Sequence, residues 1–302
     1  MGHRNGATMQ SGHGEDAECP AIDREFDDWQ FAITNAGRNL VAVLRAYFDE
    51  SERDDLGYLV IAGCLFAGPQ LRKFRRQWLR LFAPHGGACH MKDLFAGRGA
   101  FEGMPRGERE KLADRAGELV RGRIEHAVVV VVNRQDFSDP TRFPEFPMKK
   151  PYAAGCYAAS VLMAGWLKQQ GRNEGIHYVF ESGYTKGGRA EADDHLSVES
   201  DFMRWVSRYA GHSFVPKSEA IWLQAADRTA WEMGRHILRQ SRNLSETVAA
   251  RPFLKRLEQT GKLTPFFVRP EELSAMLETA DFKSDLQRDY SRFLELTRQP
   301  PR

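Results

Sequence analysis

Acidic residues stand at the ends of apolar segments in this chain, and they are the side chains best suited to do chemistry. Asp49 and Glu50 close an apolar run that begins at Val43, and Glu181 closes a second run. Asp227 lies among the apolar positions of a helical pattern. Carboxylate oxygens suit hard cations such as Mg²⁺ or Mn²⁺, and two such ions about 4 Å apart can activate water and stabilise the leaving oxygen of a phosphodiester.

Each of these acids also has an ordinary structural explanation. Asp49 could end a strand and turn into solvent, although Glu50 continues the row of Phe48, where a buried carboxylate needs a partner. Asp227 could bond to nearby backbone or to Arg228. These separate structural explanations no longer suffice if the acids lie close together in the fold. Like charges at close range raise one another's pKa unless divalent cations keep the carboxylates ionised.

Hydrophobic periodicity predicts the elements that would position these acids. Alternating or β-branched runs predict strands, and the unbroken valine run of the third predicts a strand covered on both faces. Apolar residues at helical spacing predict helices. The predicted strands are 43–50, 58–66, 124–132, 176–181 and 213–216, and the predicted helices are 71–82, 106–122, 152–169, 189–209, 220–240, 251–259 and 271–296.

The order of these elements predicts the fold class. Three antiparallel strands followed by helix-linked strands is the ribonuclease H order, so we predict an α/β fold with a ribonuclease H-like mixed five-stranded sheet flanked by helices. An insertion lies between strands 2 and 3. The predicted domains are a flexible or poorly defined segment over 1–40, the sheet domain over 41–245 and a helical C-terminal extension over 246–302. Because strands 1 and 4 are neighbours in this order, Asp49 and Glu181 could face one another, with Asp227 nearby.

Composition sets limits on the function classes. The 302 residues include 43 basic and 41 acidic side chains, and the net charge of +2 neither demands nor excludes a nucleic-acid partner. Four widely spaced cysteines predict free thiols and no structural zinc site. No apolar run reaches the ~18 residues of a membrane span. We expect a soluble cytoplasmic protein, and exclude His3 and His13 of the N-terminal segment from any site.

The insertion carries a basic ridge on its first helix, formed by Arg72, Arg76 and Arg80 at intervals of four, with Lys73 and Arg75 beside it. Such a ridge could follow a phosphate backbone, and a solvated helix face is the ordinary alternative. We predict that the three arginines bind nucleic acid, together with Lys92 further along the insertion.

A loop follows, beginning His-Met-Lys-Asp-Leu at 90–94. His90 could carry a proton near neutral pH, and Asp93 could act as an accessory ligand or orienting group. The alternative is a loop held by ordinary turn hydrogen bonds. We include His90, Asp93 and Glu50 with the other three acids as candidate catalytic residues.

Three short motifs together resemble a bacterial protein family, the one called domain of unknown function 3800. They are Tyr-Phe-Asp-Glu-Ser at 47–51, His-Met-Lys-Asp-Leu at 90–94 and Leu-Gln-Ala-Ala-Asp at 223–227, and the resemblance spans roughly 43–240. It implies a ribonuclease H-like fold and a metal-dependent nuclease activity, with Asp49 and Asp227 at the acidic positions of the family. Glu181 stands where Asp is as common.

The sequence therefore leaves three classes of function open. The first is a Mg²⁺-dependent (or Mn²⁺-dependent) nuclease acting on DNA or RNA, with Asp49, Glu181 and Asp227 as metal ligands. The second is a catalytically inactive nucleic-acid-binding or regulatory module on the same fold. The third is another hydrolase, or a partner-binding protein of a phage-defence or mobile-element system. Ser51 and Ser182 lack a nucleophile elbow, and no P-loop is present.

Overall fold

A computed structural model describes residues 43–53, 57–87, 89–137, 148–183, 188–196, 207–242 and 251–268. The strands are β1 (Val43–Arg53), β2 (Tyr58–Phe66), β3 (His126–Asn133), β4 (Gly175–Glu181), β5 (Tyr209–Val215) and β6 (Leu263–Val268). The helices are α1 (Gly68–Phe82), α2 (Met91–Ala96), α3 (Arg106–Arg123), α4 (Pro151–Gln169), α5 (Arg189–Leu196), α6 (Leu223–Arg242) and α7 (Pro252–Gln259).

The strands form one mixed sheet in the order β5-β4-β1-β2-β3-β6. β2 is antiparallel to both of its neighbours, and the other three pairings are parallel. The prediction of an α/β fold with a mixed sheet is confirmed, as is the adjacency of β1 and β4 inside the sheet.

Helices cover both faces of the sheet and create two hydrophobic cores. Side chains of α1, α2, α3, α6 and α7 pack on one face. Those of α4 and α5 pack on the other. β3 shows why its valine run is so regular, since Val129 and Val131 belong to the first core while Val128, Val130 and Val132 belong to the second. The predicted burial of β3 on both faces is confirmed.

A close approach between β1 and β2 sets the position of the acid-bearing segment. Gly63 pairs with Phe48, and a Cβ atom at Gly63 would lie 2.1 Å from the Phe48 ring, so only glycine leaves room for that ring. The freed space lets Phe48 stack on Phe180 of β4, with ring centroids 4.9 Å apart. The two strands that carry the predicted acids are thereby packed through the residues that precede them.

The sheet has six strands where five were predicted. The sixth, β6, comes from the segment assigned to a helical extension and pairs in parallel with β3 at the sheet edge. Pro265 lies inside β6 and obscures it in the sequence, because proline lacks a backbone N–H and is tolerated only where one row of donors is unpaired. The helix predicted over 251–259 is confirmed as α7.

The structure also corrects the prediction for the His-Met-Lys-Asp-Leu segment, which was expected to be an unpacked loop. Met91–Ala96 form α2, with Met91 and Leu94 fully buried. The described part of the helix predicted over 189–209 is Arg189–Leu196, and the prediction is wrong at its end, where Tyr209 already belongs to β5. The predicted segments 1–40 and 271–296 lie outside the described residues.

The cysteines at positions 64, 89 and 156 are buried free thiols, as predicted. Across the part of the chain that the structure describes, no helix has both the length and the apolar character needed to cross a membrane.

Candidate metal centre

Three carboxylates converge where β4 ends beside β1. Asp49, Glu50 and Glu181 each offer one oxygen, and these oxygens all lie within 4.8 Å of one another. Asp49 is 2% exposed, and Glu50 and Glu181 are half-buried. The sequence prediction that Asp49 and Glu181 could face one another is therefore confirmed in geometry. The alternative in which Asp49 turns into solvent is wrong.

The strand register produces this convergence. β1 and β4 pair in parallel up to Phe48 and Phe180, so Asp49 and Glu181 are the next residues on adjacent strands. β1 then continues beside β2 alone as far as Arg53, which places Asp49 within a strand and not at its end. Glu181 is fixed by Gly183, whose backbone N–H donates to its Oε2 at 2.6 Å.

Burial, together with neighbouring negative charge, raises the pKa of two of these carboxyls. Burial raises the pKa of Asp49 well above its usual range, Lys217 opposes the rise, and Asp227 and Glu50 add to it. Burial and the charge of Glu181 raise the pKa of Glu50 to about 7. A bound divalent cation would relieve both effects, because it favours the ionised forms.

Lys217 is a site residue that sequence reasoning missed. Its ammonium Nζ lies 2.6 Å from Asp49 Oδ2 and 3.1 Å from Asp227 Oδ1. Burial alone would lower the pKa of Lys217, but Asp227 and Asp49 together raise it above its usual value. Lys217 is therefore a charged group inside the site. Its position in a short connection between β5 and α6 carries no periodic signal.

Asp227 reaches the site through Lys217 and does not join the carboxylate group. Its Oδ1 accepts from Lys217 Nζ, and its Oδ2 accepts the backbone N–H of Met91 at 2.9 Å. Arg228, the alternative partner considered for Asp227, pairs instead with Glu232 at 2.8 Å. The structure thus gathers Asp49, Glu50 and Glu181, whereas the predicted metal ligands were Asp49, Glu181 and Asp227. The difference arises because Lys217 lies between Asp49 and Asp227.

Gln224 is a second residue that sequence reasoning did not single out. Its Oε1 accepts hydrogen bonds from Trp78 Nε1 and from the backbone N–H of Cys89, both at 2.7 Å. It lies three residues before Asp227, on the same side of α6. The sequence signal that could have indicated Gln224 was a polar residue one helical turn before Asp227, an acid at an apolar position. Together the two side chains hold the segment that leads into α2.

His90 and Asp93 lie in this held segment, but their side chains do not belong to the carboxylate group found among the described residues. His90 is exposed, and its carbonyl accepts the backbone N–H groups of Asp93 and Leu94. Asp93 is half-buried and in the first turn of α2. Their predicted support of the site stays a prediction.

The predicted basic ridge lies on the outer side of α1. Arg72, Arg76 and Arg80 are exposed, and so is Lys92 on α2. The opposite side of α1 packs into the core through Leu71, Phe74, Trp78 and Phe82. Trp222 Nε1 donates to the Leu71 carbonyl at 2.9 Å, which ties the start of α1 to the connection that carries Lys217.

Comparison with known proteins adds no family assignment. A scan against protein-family models finds no match, and a search of curated proteins finds none either. The resemblance carried by the three motifs stays a prediction.

Proposed function

We propose that this protein is a divalent-cation-dependent phosphodiesterase that hydrolyses nucleic acid. The observation that carries the proposal is the convergence of Asp49, Glu50 and Glu181 oxygens within 4.8 Å at the ends of paired strand segments. Like charges gathered around a buried carboxylate are costly unless a cation compensates them. An oxygen-only donor set selects hard ions such as Mg²⁺ or Mn²⁺.

The residues present fit such an ion. Asp49 is buried, its Oδ1 accepts the backbone N–H of Glu50 at 3.0 Å and its Oδ2 lies 2.6 Å from Lys217 Nζ, so its carboxylate is held in place beside Glu50 and Glu181. Glu50 has a pKa raised to about 7 by burial and by Glu181, so it gains from a positive neighbour. The three carboxylates therefore supply oxygen ligands that suit a divalent cation, and such a cation would stabilise their ionised forms.

Asp49, Glu50 and Glu181 would hold the ion. When bound, a divalent cation of this kind lowers the pKa of a water molecule and stabilises charge on phosphodiester oxygens. The other residues position these ligands. Lys217 neutralises Asp49 on its buried side, and the Gly183 N–H orients Glu181.

The strand order supports the finer fold assignment within this proposal. β1 to β5 occupy the order β3-β2-β1-β4-β5, with β2 antiparallel to its neighbours and β6 added beside β3. We infer a ribonuclease H-like core with one extra edge strand. Such an architecture hosts several functions, so the proposal rests on the site and not on the fold.

Exposed cations support a polyanionic substrate. Arg72, Arg76 and Arg80 form a row on α1, and Lys92 is exposed on α2, whose first residue is bonded to Asp227. In a chain with a net charge of only +2, localised positive charge is needed to hold a polyanion beside an acidic site.

A second function is favoured by one specific contact. Because Lys217 already neutralises Asp49 and Asp227, the site has partial compensation without any metal ion. That arrangement fits a catalytically inactive nucleic-acid-binding or regulatory module. Metal binding separates the two functions, since only the phosphodiesterase requires it.

The test is cleavage of labelled single-stranded DNA, duplex DNA, single-stranded RNA and an RNA–DNA hybrid, each with Mg²⁺, Mn²⁺ or excess chelator. We expect cleavage of at least one polymer with metal and none with chelator. Glu181→Gln should abolish it, and Glu108→Gln on the exposed side of α3 is the matched control. Binding of nucleic acid with no cleavage under any condition would favour the inactive module.

A further inference from the structure

Lys217 occupies a place that suits a metal ion. Its Nζ lies between carboxylates from two separate elements, 2.6 Å from Asp49 Oδ2 on β1 and 3.1 Å from Asp227 Oδ1 on α6. A second cation held by these two carboxylates would compete with the ammonium group for the same oxygens. The ammonium group and such an ion therefore exclude one another.

The backbone fixes Lys217 at this end of the sheet. The Val215 carbonyl at the end of β5 accepts the backbone N–H of Ser182, the residue after Glu181, at 2.9 Å. Lys217 follows two residues later, in a turn closed by a 2.9 Å hydrogen bond from Glu219 N–H to the Pro216 carbonyl. These hydrogen bonds fix the backbone of Lys217 at the end of the sheet that carries the carboxylates.

Burial makes the ammonium group hard to displace. The side chain of Lys217 is 15% exposed, and those of Asp49 and Asp227 are 1% and 14% exposed. Removing Lys217 from between them would leave two buried carboxylates uncompensated, which is strongly unfavourable. Lys217 is thus part of the folded site and not a mobile surface cation.

Both carboxylate oxygens of Asp227 already have partners outside the group of three acids. Its Oδ1 contacts Lys217, and its Oδ2 accepts the Met91 backbone N–H. It is also absent from the group of carboxylates within 4.8 Å of one another. The candidate ligands among the described residues are therefore Asp49, Glu50 and Glu181.

We propose that Lys217 takes the place of a second divalent cation, so that the wild-type site binds one ion, at Asp49, Glu50 and Glu181. This inference rests on the proposed metal-dependent function and refines it. Four carboxylates and one ammonium group carry three net negative charges when all are ionised, and one divalent ion reduces this to a single negative charge. Lys217 is a positioning residue, since it holds Asp49 and Asp227 in place.

The experiment counts Mn²⁺ ions bound to the full chain, by isothermal titration calorimetry and by paramagnetic resonance of free Mn²⁺. We expect one ion per chain for the wild type and two for Lys217→Met, a variant of similar length without charge. Lys217→Arg should bind one ion. Lys217→Met combined with Asp227→Asn should lose the second ion, and Lys255→Met, on the exposed side of α7, is the matched control.

The outcomes separate this inference from the proposed function. Two ions bound to the wild type would overturn the role of Lys217 and leave a metal-dependent enzyme. One ion bound to Lys217→Met, with the affinity of the wild type, would do the same. If the wild type binds no ion, the proposed function fails. Two ions bound to the wild type overturn the inference even if Lys217→Met does not fold, and Lys217→Gln, which also lacks the charge, then supplies the second count.

Discussion

The carboxylate of Asp227 accepts the backbone N–H of Met91 at 2.9 Å, across 136 positions of sequence. This contact joins the Leu-Gln-Ala-Ala-Asp and His-Met-Lys-Asp-Leu motifs, and Gln224 reinforces it through the Cys89 N–H at 2.7 Å. Asp227 therefore has a structural role in addition to its contact with Lys217. Any test of its function must separate the two.

Two substitutions of Asp227 should do so. Asp227→Asn keeps an oxygen for Met91 but removes the charge that faces Lys217, so we expect an unchanged fold and activity lower by about 10- to 100-fold. Asp227→Ala removes the acceptor and should also lower the free energy of unfolding by about 1–3 kcal/mol. Cleavage assays and denaturant titrations measure both effects. An unfolded Asp227→Asn protein would mean that the residue is purely structural.

Asp49→Asn should abolish cleavage and leave the fold intact. The substitution removes a candidate ligand. It relieves the repulsion with Asp227 and Glu50, which adds to the effect of burial in raising the pKa of Asp49, but it also removes one of the two carboxylates that pair with Lys217. Because the relieved repulsion and the lost ion pair act in opposite directions, we expect little change in the melting temperature, which circular dichroism measures. Full turnover in this variant would contradict the proposed site.

Buried His126 should make stability depend on pH. Burial lowers the pKa of its ring to about 4, and the ring stacks on Trp166 with centroids 4.4 Å apart. The unfolded chain takes up this proton near pH 6.5 but the folded chain does not until about pH 4. The contribution of neutral His126 to stability is thus present above pH 6.5 and is lost as pH falls towards 4, by at most about 1.4 kcal/mol per pH unit.

Denaturant titrations between pH 4 and 7 measure this slope. His126→Phe keeps a ring against Trp166. It should reduce the dependence of the free energy of unfolding on pH by the equivalent of up to one proton. His90→Ala, at an exposed histidine, controls for the loss of a histidine as such. Equal slopes for the wild type and His126→Phe would remove His126 from the explanation.

The residues His90 and Asp93, at the start of α2, are predicted to support turnover. His90 would act as a proton carrier near neutral pH, and Asp93 as an accessory ligand or orienting group. We expect His90→Ala to change the shape of the pH–rate profile and Asp93→Ala to reduce metal affinity. If both variants keep full turnover across pH, the segment contributes only through the backbone of Met91 and Cys89.

The basic ridge of Arg72, Arg76 and Arg80 is predicted to bind phosphates. Removing one arginine–phosphate interaction should reduce the salt slope of binding by roughly one unit and weaken all sequences alike. Binding of a non-cleavable duplex and of a single strand, measured against salt for the parent and the triple Arg→Ala variant, tests this. Identical slopes would reduce the ridge to a solvated helix face.

Elements with strong local patterns could be predicted from the amino-acid sequence. The valine run of β3 and the apolar run of β2 predict strands because side chains alternate along an extended backbone. The same local reasoning identified Asp49, Glu181 and Asp227 as candidates, since a carboxylate in an apolar pattern is unusual whatever the tertiary fold. Strand order then brought Asp49 and Glu181 together, as the structure shows.

The compensation of charges, in contrast, depends on the folded arrangement. Lys217 follows β5 in a short turn with no periodicity, and only the pairing of β4 with β5 and the packing of α6 on β1 place it between Asp49 and Asp227. The edge strand β6 was likewise hidden, because Pro265 conceals a strand whose partner, β3, is distant in sequence. Contacts of this kind depend on the whole sheet, and local patterning cannot encode them.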